Sequence, residues 1–162
     1  MAWNGSVTVV TQTLASAGDF NDLSENVDYL LSPSSFLVEY HPGSNYTISA
    51  TVPTDLDATN VTGQITTNGG DIMIGFDFNH SVVSTATLFA QVEVDGPPSP
   101  TTHLYKFSNI VATGQNMNGT ISIPGLVADT YTITLQVWRA TANCLVYGAA
   151  ASEKITLWAK ER

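Results

Sequence analysis

The feature that most constrains this chain is a period-two alternation of apolar and polar residues, repeated along most of its length. In DIMIGFDFN, residues 71–79, Ile72, Ile74, Phe76 and Phe78 fall on one side and Met73, Gly75 and Asp77 on the other. Successive strand side chains point to opposite faces, so this pattern specifies a strand with one buried face. TLFAQVEVDG sets Leu88, Ala90, Val92 and Val94 against Phe89, Gln91, Glu93 and Asp95. TYTITLQVWR places Tyr131, Ile133, Leu135 and Val137 on its buried side, and NYTISATVP groups Tyr46, Ile48 and Ala50. FLVEY, HLYKFSNIV, GTISIPGL, NCLVYGA and KITLWAK continue in kind. Between the runs sit Asn68-Gly69-Gly70, Asp95-Gly96-Pro97-Pro98, Asn118-Gly119 and Pro124-Gly125. Asn-Gly and Asp-Gly favour tight hairpins because these residues tolerate positive φ. Roughly nine strands joined by turns, with no helices between them, predict an all-β fold, an antiparallel β-sandwich. A jelly roll fits the pattern best, with an immunoglobulin-like sandwich second.

One stretch breaks the period. In AGDFNDLSENVDYLLSP, residues 17–33, Phe20, Leu23, Val27, Leu30 and Leu31 share a stripe, while Asp22, Glu25 and Asp28 fall away from it. The spacing predicts one amphipathic helix, with Asp19 as N-cap and Pro33 as its stop. The preceding GSVTVVTQT, residues 5–13, reads as a short arm of β propensity. The expected organisation is therefore an arm with an attachment or oligomerisation helix over 1–35 and a β-sandwich over 36–162. A lone short helix is marginal in water, so its stripe must be covered. It could plug an open end of its own sandwich. Alternatively, Phe20, Leu23, Val27 and Leu30 have coiled-coil spacing and could meet copies of themselves on a threefold axis.

Charge narrows the partners. The chain carries 14 acidic residues against 5 Lys and Arg, a net charge of −9, which repels phosphate backbones and argues against nucleic acid. Charged residues make up only 12% of the sequence, and Thr, Ser and Asn take their place, a surface that can face water or partner subunits. No apolar run is long enough to insert in a membrane as a helix. The N-terminus MAWNGSVTVVTQ lacks the basic-then-apolar order of a secretory signal, so synthesis in a cytoplasm is expected. Cys144 is the single cysteine, which leaves no intrachain disulfide. Asn4, Asn45, Asn60, Asn79 and Asn118 each open an N-x-[ST] triplet, read as chance in an Asn- and Thr-rich chain without a secretory signal.

Candidate chemistry is sparse. His41, His80 and His103 have no Cys or second His at ligand spacing, so no metal or cofactor is expected. Asp55 and Asp57 with Asn60 could ring a calcium ion, yet PTDLDATN lacks the glycine and terminal glutamate of a calcium loop and reads better as a solvated turn. Glu93 and Asp95 lie two apart on one strand face, the arrangement of a glycosidase pair, but outward strand faces carry such pairs routinely. Trp138 and Trp158 fall out of phase with the apolar faces of their strands. They are candidates for an exposed sugar platform or, more in keeping with the low-charge background, for a subunit interface.

Two regions resemble small structural proteins of tailed bacteriophages and related viruses. ASAGDFNDLSENVDYLLSP is similar to a segment of the form T-A-x-x-L-N-x-x-x-R-D-N-x-x-Y-L that precedes a β domain in many tail-associated proteins. Phe20-Asn21 and Glu25 to Leu30 carry the match, with Ser24 or Glu25 where arginine is usual. TTNGGDIMIGFDF, VEVDG, GLVADTYTITLQVW and ITLWAKE resemble the strand and turn elements of those domains, with Asp129 in place of a usual glycine. The resemblance implies a non-enzymatic virion protein: a trimeric fibre head, tail appendage or capsid decoration protein. Its partners would be itself, other virion proteins and, as a further candidate, a host-surface glycan. A monomeric carbohydrate-binding module using Trp138 or Trp158 is the alternative, and a glycan hydrolase is third.

Overall fold

The computed structural model describes residues 34–96 and 103–162, with side chains described except at 82–85 and 103–114. Nine strands follow one another: β1 (Ser35–Tyr40), β2 (Tyr46–Ile48), β3 (Thr54–Asp55), β4 (Thr62–Thr66), β5 (Ile72–Asp95), β6 (His103–Ile123), β7 (Thr130–Arg139), β8 (Cys144–Val146) and β9 (Ile155–Glu161). Every pairing among them is antiparallel. No described residue is helical, and the helix expected around Phe20, Leu23, Val27 and Leu30 lies outside the described residues. The sandwich begins at Ser35, one position before the boundary drawn from sequence.

The fold is organised by β5 and β6, which pair from Ile72↔Ile123 to Val94↔His103, with register shifts between His80 and Thr87. At the shifts β5 changes its other neighbour. Ile72–Asp77 pairs with β9, His80–Val82 with β8, and Leu88–Asp95 with β7. One strand thus belongs to two layers. The first is β1, β9, the start of β5 and the end of β6. The second is β3 and β4 beside β7, the end of β5 and the start of β6. This is an antiparallel sandwich of jelly-roll type.

The alternation explains the core. Ile72, Ile74, Phe76 and Phe78 are buried, as are Leu88, Ala90, Val92 and Val94 from the other half of β5. Tyr131, Ile133, Leu135 and Val137 of β7 face the same core as Ile155, Leu157 and Ala159 of β9. Phe76 and Phe78 stack at 5.9 Å between ring centroids. Phe36 of β1 lies against Gly63 of β4, whose Cβ, if it had one, would stand 2.4 Å from the ring.

Two sequence expectations are corrected. DIMIGFDFN and TLFAQVEVDG are one continuous strand, and HLYKFSNIV and GTISIPGL are another. The intervening HSVVSTAT lacks turn residues, and bulging absorbs the change of neighbour without ending the strand. Asn118-Gly119 is not a hairpin turn. It lies within β6 opposite Asp77 and Phe76, because Met117 and Ile123 on either side are held in the core. Two other glycine signals hold: Gly69 and Gly125 adopt φ of 92° and 66° in the loops that flank β5 and β6, while Asp95-Gly96-Pro97-Pro98 runs beyond the described residues.

Candidate functional site

Core strands present every second residue outward, and the two layers present different chemistry there. On the first layer Trp158 faces Gly75 across the β9–β5 pair, with Leu37 on its other side in β1. The indole fills the space above Gly75, where a Cβ would lie 2.4 Å from its ring atoms. Trp158 is half-buried, and Leu37 is 64% exposed. Sequence placed Trp158 out of phase correctly, and the structure adds the exposed leucine beside it. Alternation within FLVEY carries that signal, since Phe36, Val38 and Tyr40 turn inward and leave Leu37 outside.

On the second layer Trp138 is buried, so of the two readings of this residue the exposed sugar platform finds no open indole face here. Phe89 stands directly across from it, and the rings stack at 5.2 Å and 17°. One face of the indole is thereby covered. Being out of phase with the core does not expose a side chain when its cross-strand neighbour is aromatic.

Next along the same face, Gln136 joins three groups. Its Nε2 donates to Asp55 Oδ1 and to Glu93 Oε2, each at 2.9 Å, and its Oε1 accepts from Gln91 Nε2. Gln91 is buried despite its outward phase. Burial, with Asp55 and Asp95 nearby, pushes the Glu93 carboxyl above its ordinary value. The sequence paired Glu93 with Asp95. The structure instead brings Glu93 and Asp55 together through Gln136, and Asp95 remains exposed. Sequence reasoning missed Gln136, whose only signal was an amide at an outward position of TYTITLQVWR. A threonine ladder continues the face, with Thr62 against Thr134 at 3.2 Å and Thr66 against Thr130 at 2.9 Å.

Asp57 is a turn-forming group. Its carboxylate accepts from Tyr46 Oη at 2.6 Å, from the backbone N–H of Thr59 and Asn60, and from Asn60 Nδ2. The Tyr46 bond leads the effects that hold its pKa down to about 2. With both oxygens engaged by donors, the Asp55/Asp57/Asn60 set has the geometry of a capped turn rather than of a calcium loop. The histidines are dispersed. His41 Nδ1 lies 3.2 Å from the Glu153 carbonyl, while His80 is buried edge-on to Phe78, and burial pushes its pKa down. Among the described residues no group of three His, Cys, Asp or Glu side chains converges as a metal site.

No protein-family model and no curated protein matches the chain. Solved structures share its fold. The VP2 subviral particle of infectious bursal disease virus matches with a TM-score of 0.52 and 14% identity, over 80% of this chain and 37% of VP2. This chain thus spans little more than a third of VP2. The Eiger TNF of S. frugiperda matches at 0.47 and 9% identity, over 81% of this chain and 94% of that one. The globular domain of zebrafish complement 1qA matches at 0.44 and 10%, over 80% and 96%. At 14% identity the likeness to VP2 shows a shared fold alone, in keeping with the all-β antiparallel sandwich built from the strands above.

Proposed function

We propose that this chain is a non-enzymatic structural protein of a virion: a homotrimeric sandwich displayed on a phage tail, fibre or capsid shell, as fibre head, appendage or decoration protein. The observation that carries the reading is the jelly-roll fold shared with VP2, the protein of a viral particle. Its phage setting rests on the resemblance of the segment around Phe20–Leu30 and of the β elements to tail-associated proteins. The surface supports an assembly role. Leu37 and Trp158 form an apolar spot ringed by polar and charged residues, among them Glu39, Thr156, Lys160 and Asp77, the pattern of an apolar centre with a polar rim. The stripe Phe20, Leu23, Val27 and Leu30 is the proposed trimerisation element, with other virion proteins as further partners.

The carbohydrate-module alternative loses its Trp138 version, since that indole is stacked under Phe89. The deciding experiment is electron microscopy of purified particles labelled with gold-conjugated antibody against the sandwich. Label at regular positions on the tail or shell is expected. Particles that carry none of this chain would contradict the reading.

A further inference from the structure

His80 is fully buried, on the inward phase of β5 two residues after Phe78. Neither nitrogen of its ring has a hydrogen-bond partner among the described residues. The Gln115 backbone, opposite it in β6, favours the charged ring but makes no well-formed bond with it, and burial outweighs that influence. A buried polar group without a partner is costly, and a buried unpaired charge far more so. The position matters as much as the burial. The register shifts of the β5–β6 pair begin at His80, and here β5 is held on its other side by its shortest partner, the three-residue β8. On its far side β8 pairs with β2, which is also three residues long.

We propose that His80 is an acid-sensitive latch: its protonation in mild acid releases β8 from β5, while the ladders from β5 to β9 and to β7 stay closed. Histidine is the side chain whose ordinary titration falls in this range. The ring can take up a proton only where water reaches it, and the smallest opening that exposes it is the detachment of β8 with β2. No neighbouring charge relieves the cost of a buried histidinium. Its cross-strand partners are Gln115 and Val146, and the next residues on those strands' inward face are Met117 and Cys144. Burial pushes the Cys144 thiol up, which keeps it neutral. Tyr46, beyond Val146 in the same row, is raised by burial as well, and its hydroxyl is bonded to Asp57, whose carboxylate is engaged by Thr59 and Asn60 too. Asp77 falls on the outward phase of β5 and accepts from Asn116, and His103 and Lys106 of β6 lie opposite Val94 and Gln91 at the other end of the pair. The sign follows from burial. The folded protein holds the His80 proton less readily than the opened one, so the latch is closed above pH 6.5 and weakens as pH falls below it. Asp57 acts only below 3.8, outside this window. The inference concerns the sandwich alone and does not depend on the virion reading.

The test is hydrogen–deuterium exchange of the full chain at about pH 7.5 and pH 5.0, with each rate divided by that of the unstructured peptide. Peptides covering Asn79–Val82 and Cys144–Tyr147 should exchange faster at the lower pH, by up to about thirtyfold, the linkage for a histidine that titrates at 6.5 when exposed and stays neutral when buried. Ile155–Glu161 of β9 should keep its rate. His80→Leu should abolish the rise. His41→Gln should leave it intact, because His41 is exposed and lies against the Glu153 carbonyl. A second reading needs no variant: the imidazole C2–H resonance of wild-type His80 should keep its neutral-ring position at pH 6.5, where an exposed histidine is half charged. A rise below about threefold, an equal rise along β9, a rise that persists in His80→Leu or vanishes in His41→Gln, or a His80 resonance half-titrated at pH 6.5 would overturn the proposal.

Discussion

The two halves of β5 are alike inside and unlike outside. Ile72–Phe78 and Leu88–Val94 bury every second residue in one shared core, yet their outward residues meet different neighbours. In the first half the outward face holds Gly75 under the Trp158 ring, and Asp77, which accepts from Asn116 Nδ2 at 3.0 Å. In the second half it holds Phe89 stacked on Trp138, and the Gln91–Gln136–Glu93 network. The inward pattern sets the fold and is blind to what the outward residues do. The outward residues distinguish a face with an exposed Leu37 from a network in which Gln136 joins two carboxylates.

The largest expected effect is shared by both halves. Phe76→Ala should lower stability by about 3–5 kcal/mol, through lost burial and a residual cavity, measured by denaturant unfolding. A loss below about 1 kcal/mol would mean that the inner face is not a common packed core.

Glycines separate core from surface more finely. Gly63→Ala places a methyl against the Phe36 ring, which is partly buried and packed against the core. A loss of about 1–3 kcal/mol is expected, typical of overpacking. Gly75→Ala meets the Trp158 ring equally closely, but that ring is half-exposed and can tilt outward. It should cost less than Gly63→Ala and should shift the indole fluorescence to the red. Equal losses would show that Trp158 is held as firmly as a core side chain.

On the second half, Gln136→Leu removes the donor to Asp55 and Glu93 and strands the buried Gln91 amide. A cost of about 1–3 kcal/mol is expected, the usual penalty for unmade buried hydrogen bonds. Asp77→Asn on the first half should cost well under about 1 kcal/mol, because an amide oxygen can accept the Asn116 bond in place of the carboxylate.

The smallest effects are in pH dependence, and two carboxylates should act in opposite directions. Asp57 titrates near 2 when folded against an ordinary 3.8, so its contribution is present above 3.8 and is lost as pH falls toward 2. Asp57→Asn should flatten that acid limb of the melting-temperature profile. Glu93 is raised above 4.5, so its ionisation opposes folding, and this penalty sets in as pH rises through that value. The melting temperature of Glu93→Gln relative to wild type should therefore climb from pH 4 toward neutrality, reported by calorimetry across about pH 3–8. A flat difference would remove the strain assigned to the Glu93 carboxylate.

Much of the fold was legible because period-two burial is a local signal. The inward sets of DIMIGFDFN, TLFAQVEVDG and TYTITLQVWR could be read residue by residue. Where strands continue was not legible. Asn118-Gly119 has turn chemistry, but the core contacts of Met117 and Ile123 keep it in β6. The outward sites were read only in part. Trp138 and Trp158 share the same phase, and their exposure is decided by cross-strand neighbours, Phe89 in one case and Gly75 in the other. The Gln136 network was hidden because it joins β3, β5 and β7, whose residues 55, 93 and 136 are far apart in sequence.

The proposed role is that of a sandwich working as a subunit of an assembly. The most direct test is the mass of the full chain in solution, by light scattering coupled to size exclusion at micromolar concentration. The proposed homotrimer should run at three times the 17.3 kDa chain mass, falling to a single chain mass in Leu23→Asp. A wild-type protein that runs at the mass of one chain across that range would contradict it.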